Sequence, residues 1–226
     1  MDEDARRLAQ KIDHTVVRPD ATVEDIVALC TEAVQYGFAA VIVNSSHVAR
    51  ARDLLAGTPV KVGTVVGFPF GASTTAVKIF EAMEAMKNGA EELDVVMNIG
   101  MVKSGQFDVV EIDMKNVIVM TPKKVHKIIL ETGYLTTDEI TRVCGIAGRS
   151  GAAFVKTSTG YGPRGATVED IRLMREAAGP ACRVKASGGI RDLASVLALT
   201  EAGAERIGTS AGVAIMEEYR RTHGSS

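Results

Sequence analysis

Short β-rich segments alternate with longer segments of helical periodicity along the whole chain, with no linker between them. Eight such strand–helix units in 226 residues favour a closed barrel over an open doubly wound sheet, which more often stops at about five or six strands. We therefore predict the α/β class and a single (β/α)8 TIM barrel that forms one catalytic domain over residues 1–226. The predicted strands cover residues 12–15, 39–45, 60–68, 91–99, 125–132, 152–159, 182–188 and 205–210.

The ends of several helices, and of the chain itself, carry recognisable patterns. Three predicted helices begin at a threonine that is followed three residues later by an acid, at Thr22, Thr136 and Thr167. This spacing is typical of capping at the amino terminus of a helix. An amphipathic segment over residues 4–11 is expected to form a short N-terminal helix that covers the barrel bottom. Residues from about 220 to 226 are expected to form a flexible tail.

The charge balance argues against large anionic partners. The chain has 26 Lys and Arg against 28 Asp and Glu, and its formal net charge is -2. Binding to nucleic acid or to an anionic membrane needs a positive surface, so we expect neither partner. The first residues, MDEDARRLAQ, lack the apolar core of a secretory signal, and no apolar run approaches the ~20 residues of a membrane span. We expect a cytoplasmic location.

No motif for a metal or a cofactor stands out. The four histidines and three cysteines are dispersed, without H-x-H, H-E-x-x-H or C-x-x-C spacing. The segment GYGPRG at 160–165 fits G-x-G-x-x-G, but the next strand ends in Lys185, Ala186 and Ser187 rather than in the acid that would hold a ribose. Pro163 also removes a backbone donor from that turn. We therefore expect neither a metal nor a dinucleotide.

Charged side chains fall on the inward faces of several predicted strands. Side chains alternate along a strand, and the apolar face must meet the helices. This alternation points Asp94, Lys156 and Lys185 into the barrel. We expect them to converge there with three further charged residues, Asp13, Lys127 and Glu131. Two interpretations stay open: buried ion pairs that only fix strand register, or a reactive site.

Two lysines at equivalent positions on adjacent strands permit a specific chemistry. Neighbouring strands lie about 4.8 Å apart, so the ammonium groups of Lys156 and Lys185 would be close together. Like charge and burial both lower the pKa of an amine, and a neutral amine is a nucleophile that condenses with a carbonyl compound. Asp94 and the second ammonium can supply the proton transfers.

The loops after the last three strands indicate an anion site. The segments TSTG, SGGI and GTSAG offer backbone N–H groups without bulky side chains, at the barrel face where phosphates commonly bind. Glycines in any one of these loops could simply close a tight turn. Three such loops together favour a phosphorylated small-molecule substrate.

Several segments, among them KIDHT, VVGFPFG, ELDVVMNIG, IILET, FVKTSTGYGPRGATVED, VKASGGIR and RIGTSAG, resemble the deoxyribose-phosphate aldolase family. The similarity runs from about residue 8 to about residue 215. It implies a (β/α)8 barrel and a cofactor-free lyase that acts through a lysine Schiff base. The implied reaction is the reversible cleavage of 2-deoxy-D-ribose 5-phosphate to D-glyceraldehyde 3-phosphate and acetaldehyde, in deoxyribonucleotide breakdown.

The resemblance also implies roles for individual residues. Lys156 matches the lysine that forms the imine, Lys185 the second lysine that makes it reactive, and Asp94 the acid that transfers protons. The residues that match the phosphate-binding loops are Thr159, Gly160, Gly188, Gly189 and Ser210.

Two segments depart from the family pattern. Ile42 and Ser45 stand in the second strand where many relatives have a cysteine followed by Asn-Pro, which affects the barrel mouth near Asn44. The segment at 116–130 is unusually apolar and basic, and could mark the contact of a homodimer.

Two other functions remain compatible with the residues. A phosphosugar barrel could isomerise or condense its substrate without an imine, using Asp94 or Glu131 as the base. A catalytically silent barrel could bind sugar phosphates as a sensor.

Overall fold

The computed structural model describes residues 2–223, and the eight strands predicted from the sequence form one closed sheet. Every strand pairs in parallel with its neighbour in the chain, and the last strand closes the barrel on the first. The predicted (β/α)8 barrel is confirmed. The strands are β1 (Ile12–Val16), β2 (Ala40–Val43), β3 (Lys61–Val66), β4 (Glu92–Val96), β5 (Val125–Ile129), β6 (Phe154–Lys156), β7 (Arg183–Ser187) and β8 (Arg206–Thr209).

Helices connect the strands on the outside of the barrel. In the described part of the chain they are α1 (Glu3–Ala9), α2 (Val23–Tyr36), α3 (Val48–Leu54), α4 (Thr75–Asn88), α5 (Ile99–Lys103), α6 (Phe107–Met120), α7 (Thr137–Arg149), α8 (Val168–Ala177), α9 (Leu193–Glu201) and α10 (Gly212–His223). No helix among residues 2–223 has the length and apolar character needed to cross a bilayer.

The two ends of the chain differ in how well they match the prediction. α1 lies just before β1, hence at the amino-terminal end of the strands, and packs against α10 with Ala5 and Leu8 buried. The flexible tail was expected to begin at about residue 220, whereas α10 continues to His223. The remainder of that predicted tail, residues 224–226, lies outside the described residues.

The predicted helix starts carry side-chain caps. Thr22 and Thr136 each accept a hydrogen bond from the N–H three residues later, and the acid at that position bonds back to the threonine N–H. Thr167 also accepts the N–H of Asp170. The Asp170 carboxylate does not bond back, because it is engaged by Arg164 and by the hydroxyl of Thr132.

Side chains alternate along the strands and so fill two separate buried regions, one between the sheet and the helices and one inside the barrel. The outward faces, which include Val155, Val184 and Ala186, pack with the helices in the main apolar core. A second apolar cluster of Ala40, Ile42 and Val65 lies inside the barrel, on the β2–β3 wall. The rest of the barrel interior is strongly charged.

Two predicted strands are shorter than expected, which changes the place of one residue. β5 ends at Ile129, so Glu131 lies beyond the sheet rather than among the inward charges. β6 ends at Lys156, and the following residues leave the sheet to form a loop at the barrel mouth. Within residues 2–223 Glu131 forms no ion pair with the lysines and bonds to Thr159 instead. Burial raises the pKa of the Glu131 carboxyl group and the charge of Lys156 opposes that shift, so the expected convergence is correct for Lys156 only as a nearby charge.

Candidate active site

The two lysines singled out from the sequence meet at one carboxylate oxygen. Lys156 and Lys185 are directly paired across β6 and β7. The Lys156 Nζ lies 2.7 Å from Asp94 Oδ2, and the Lys185 Nζ lies 2.8 Å from the same atom. All three side chains are buried, and Lys185 and Asp94 are completely so. The predicted convergence of these three residues is what the structure contains.

Further charges surround this centre. The Lys127 Nζ lies 2.7 Å from Asp13 Oδ2, 2.5 Å from Glu92 Oε2 and 3.1 Å from Asp94 Oδ1. Lys185 also donates a hydrogen bond to Asp13. Arg206 connects the outer carboxylates, at 2.6 Å from Asp13 and 3.0 Å from Glu92. We call this set the barrel cluster: Asp13, Glu92, Asp94, Lys127, Lys156, Lys185 and Arg206.

The barrel cluster holds more basic groups than acidic ones. It contains three lysines and one arginine against three carboxylates, so full ionisation would bury one excess positive charge. An uncompensated charge in a buried site is costly, and such a cluster tends to lose a proton. The pKa of Lys185 is lowered to about 8, first by burial and then by the charges of Lys127 and Lys156, against the opposing effect of Asp13 and Asp94. Lys185 can therefore exchange a proton near neutral pH.

The partners of Lys185 keep their charges. Burial raises the pKa of Asp94, but the nearby lysines outweigh this and hold that pKa well below its usual range. Burial also disfavours a charged Lys127, yet Asp13, Asp94 and Glu92 raise its pKa above the ordinary value. Asp94 is thus ionised at rest and accepts hydrogen bonds from both Lys156 and Lys185 at one oxygen atom.

A cavity of about 410 Å³ opens above the cluster and distinguishes the two lysines. Lys156 lines this cavity, whereas Lys185 lies behind it and is fully buried. A small molecule that enters from solvent therefore meets the amine of Lys156 first. The other lining residues are Thr15, Val16, Val17, Arg18, Val65, Thr159, Gly160, Tyr161, Ser187, Gly188, Gly189, Ile190, Arg191, Gly208, Thr209 and Ser210.

All the residues predicted to bind phosphate line this cavity. The backbone N–H groups of Gly160, Gly188, Gly189 and Ser210 donate no hydrogen bond to another described residue. Gly188 and Gly189 have φ angles of 88° and 76°, which glycine adopts without strain. Four unpaired donors around one cavity are suited to an oxyanion. Thr159 is an exception, because its N–H and its hydroxyl both donate to Glu131.

The altered second strand contributes an apolar wall. Ile42 is buried inside the barrel, where its Cδ1 would lie 2.5 Å from a Cβ on Gly63. The small residue on β3 therefore accommodates the larger one on β2. Ser45 begins a short 3₁₀ turn, and at the mouth the side-chain amide of Asn44 donates to the carbonyl oxygen of Arg18 at 3.2 Å.

Several residues at the site were not predicted from the sequence. Arg206 could have been found by applying the same alternation to β8, which places it on the inward face with Gly208. Arg18, Arg191 and Tyr161 lie in loops, where no periodicity indicates direction. Among residues 2–223, no group of three or more His, Cys, Asp or Glu side chains is arranged to hold a metal ion.

Comparison with known proteins supports the same interpretation. The model of the DeoC/LacD family aldolases matches residues 7–218. A deoxyribose-phosphate aldolase from Coprothermobacter proteolyticus is 54% identical over 209 residues, which cover 92% of this chain and 95% of that protein. One from Methanothermobacter thermautotrophicus is 54% identical over 219 residues, with 96% and 97% covered.

Solved structures agree in fold. A putative deoxyribose-phosphate aldolase from Coccidioides immitis superposes with a TM-score of 0.93 at 43% identity, covering 96% of this chain and 87% of that one. The deoxyribose phosphate aldolase of Aeropyrum pernix, described as a unique tetramer, gives 0.90 at 31% identity, with 97% and 94% covered. The resemblance inferred from the sequence motifs is confirmed, and the chain belongs to the DeoC/LacD family aldolases.

Proposed function

We propose that this aldolase cleaves 2-deoxy-D-ribose 5-phosphate reversibly to D-glyceraldehyde 3-phosphate and acetaldehyde. The observation that carries the proposal is the arrangement at the cavity floor. One buried lysine, Lys156, faces the cavity, and a carboxylate joins it to a second lysine whose pKa is lowered to about 8. Relatives about half identical over nearly the whole chain carry the name of this activity.

Imine formation is the first chemical step. The neutral amine of Lys156 attacks the aldehyde carbon C1 of the open-chain sugar and gives a carbinolamine, which loses water to form an iminium ion. Loss of one proton from the barrel cluster leaves Lys185 neutral, and Lys185 then acts as the base that takes a proton from the Lys156 ammonium group. Asp94 Oδ2 lies between the two nitrogen atoms and contacts both.

Bond cleavage follows from the electron demand of the iminium. A base removes the proton of the C3 hydroxyl, the C2–C3 bond breaks, and its electron pair forms an enamine with the Lys156 nitrogen. D-Glyceraldehyde 3-phosphate leaves. Protonation of the enamine at C2 regenerates an iminium ion, whose hydrolysis releases acetaldehyde and the free lysine. We assign these proton transfers to Asp94 and Lys185, which adjoin the Lys156 nitrogen.

The phosphate end of the substrate belongs at the three loops. The unpaired N–H groups of Gly160, Gly188, Gly189 and Ser210 would hold the phosphate oxygens. Arg191, which lines the same cavity, adds a positive charge. Binding there orients C1 toward Lys156 because both ends of the sugar are then fixed in one cavity.

Trapping with borohydride tests the proposal. Borohydride reduces an iminium ion to a stable secondary amine, so incubation with acetaldehyde should add an ethyl group to Lys156, located by peptide mapping. A coupled assay should detect glyceraldehyde phosphate from deoxyribose 5-phosphate. Turnover with unchanged protein mass would favour a barrel that uses Asp94 or Glu131 as a base without an imine. Binding without turnover or adduct would favour a silent sensor.

Four coarser expectations complete the proposal. We place the protein in the cytoplasm, as a single domain that works without a cofactor. We also propose a homodimer, because α4 and α6 pack together and expose the apolar side chains of Val77, Phe80, Ile112 and Val119. Ile112 and Val119 belong to α6, whose last turn begins the apolar and basic segment at 116–130. Light scattering of the purified protein would test the dimer.

A further inference from the structure

Glu131 occupies an unusual backbone position beside the active site. It lies between the end of β5 and the 3₁₀ turn Thr132–Tyr134, with φ +55° and ψ +61°. Residues other than glycine rarely adopt this left-handed conformation, and surrounding contacts must fix it. The side chain is only 2% exposed, although its charge is not part of the barrel cluster. Burial raises the pKa of its carboxyl group.

The Glu131 carboxylate binds the loop that follows the reactive strand. Its Oε2 accepts the N–H of Thr159 at 3.1 Å and also the Thr159 hydroxyl. The hydroxyl oxygen of Thr159 in turn accepts the N–H of Tyr161 at 3.0 Å. Gly160 lies between these two residues, and its N–H stays unpaired at the cavity wall. One oxygen atom of Glu131 therefore fixes the loop three residues beyond Lys156.

Packing around Glu131 explains the GYGPRG motif. A Cβ on Gly162 would lie 2.6 Å from Glu131 Oε1, so a larger residue there would displace the carboxylate from its present position. A Cβ on Gly133 would lie 2.9 Å from Pro163 Cγ. Arg164 donates to the Thr132 carbonyl oxygen at 3.2 Å and so fastens the far end of the loop. These glycines allow two loops to pack closely, which is a different role from binding a dinucleotide.

We propose that Glu131 is a positioning residue, which holds Thr159 so that the N–H of Gly160 and the rest of the loop bind the substrate phosphate at a fixed place relative to Lys156. The inference rests on the proposed function. It differs from a role as a catalytic base, because Glu131 acts through Thr159 and does not touch the reacting carbon.

The engaged atoms predict which substitutions are tolerated. Only Oε2 takes part in hydrogen bonds, whereas Oε1 has none. In Glu131→Gln the amide oxygen can accept both bonds from Thr159, so this variant should retain activity within about threefold. In Glu131→Leu both bonds are lost while the side chain keeps a similar size. A base, by contrast, would be lost equally in both variants.

The test compares the phosphorylated substrate with 2-deoxyribose, which lacks the phosphate. For Glu131→Leu, kcat/KM for deoxyribose 5-phosphate should fall about tenfold or more, mostly through a higher KM. The value for 2-deoxyribose should change less than about twofold, since no phosphate is placed. Inorganic phosphate should also inhibit the variant about tenfold more weakly than the wild type. Acetaldehyde trapping at Lys156 should persist.

The outcomes separate the inference from the proposed function. If wild-type protein neither forms the adduct nor cleaves deoxyribose 5-phosphate, the proposed function fails. Two results with an active wild type would show that the positioning role is wrong. One is that Glu131→Leu lowers kcat/KM equally for deoxyribose 5-phosphate and 2-deoxyribose. The other is that Glu131→Gln is as impaired as Glu131→Leu. Should Glu131→Leu not fold, Thr159→Val removes the hydroxyl bond to Glu131 and the bond from the Tyr161 N–H, and keeps the Thr159 N–H bond to Glu131. It should lower the ratio of kcat/KM for deoxyribose 5-phosphate to kcat/KM for 2-deoxyribose by about threefold. An unchanged ratio in Thr159→Val would then overturn the inference.

Discussion

Two buried lysine sites in this protein differ in how their charges balance. Between α4 and α6, Lys78 is completely buried and pairs one to one with Asp113, with Nζ 2.6 Å from Oδ2. The hydroxyl of Thr75 donates to the other oxygen of Asp113 at 2.8 Å. Inside the barrel, four basic groups share three carboxylates. The first site is a neutral pair that joins two helices, and the second holds an excess of one cation.

This difference shows why burial alone does not make a lysine reactive. A buried pair with matched charges is stabilised as a pair, and removing either partner leaves an uncompensated charge. A cluster with one cation too many can instead release a proton and become balanced. Substitutions that remove one cation from each site should therefore have opposite effects on stability and on chemistry.

Removing the proposed nucleophile should have the largest effect. In Lys156→Ala the barrel cluster keeps three basic and three acidic groups, so we expect the barrel to fold normally. Turnover should fall below detection, because no other lysine lines the cavity within the described residues. Borohydride should then produce no acetaldehyde adduct. An adduct formed at full rate on another lysine would show that the nucleophile had been assigned to the wrong residue.

Removing the second lysine should be severe and should also change the pH dependence. Lys185 has a pKa of about 8, below the usual value of 10.5, so it is protonated below pH 8 and neutral above it. Wild-type adduct formation should therefore increase from pH 6 to pH 9 with a midpoint near 8. Lys185→Leu should be slower by about 100-fold and should lack this increase. Full activity of Lys185→Leu at neutral pH would disprove the tuning role.

Lys78→Leu is the matched control for that experiment. It replaces an equally buried lysine by the same residue but leaves Asp113 buried without its partner. We expect a loss of about 3–5 kcal/mol in the free energy of unfolding, measured by urea denaturation. The rate and pH profile of adduct formation at Lys156 should stay unchanged below the melting temperature. Lys185→Leu should show the opposite pattern, with a much slower adduct formation and little loss in the free energy of unfolding.

Strand alternation predicted the catalytic core from sequence, because the two faces of a barrel strand have different surroundings. The outward face packs against apolar helices, and the inward face carries the charged residues. It placed Asp94, Lys156 and Lys185 in one space, and the structure agrees. The segment after Lys156 still has the composition of a strand, so the end of β6 was predicted too late. Where the chain leaves the sheet, Thr159 bonds to Glu131, which is 28 residues earlier in the sequence, and local composition does not describe such a long-range contact.

Long-range geometry also decides which lysine meets the substrate. Lys156 and Lys185 occupy equivalent places in VKTSTG and VKASGG, and the sequence gives them the same height in the barrel. Only the closed barrel shows that Lys156 lines the cavity while Lys185 contacts Asp13 on the far side. That contact depends on β8 closing on β1, which local sequence patterns do not describe.

The apolar wall should give the smallest but most specific effect. Val65 lines the cavity and is paired with Asp94 across β3 and β4, so it helps to keep water from the cluster. Val65→Thr keeps the shape but adds a hydroxyl that can donate to Asp94 and compete with the lysines. We expect adduct formation to slow by about three- to tenfold, a cost of about one hydrogen bond.

Val62→Thr is the control, since Val62 lies on the outward face of the same strand and packs in the outer core. It should lower stability and leave the adduct rate intact, and equal rates for both variants would mean that the apolar wall does not influence the amines.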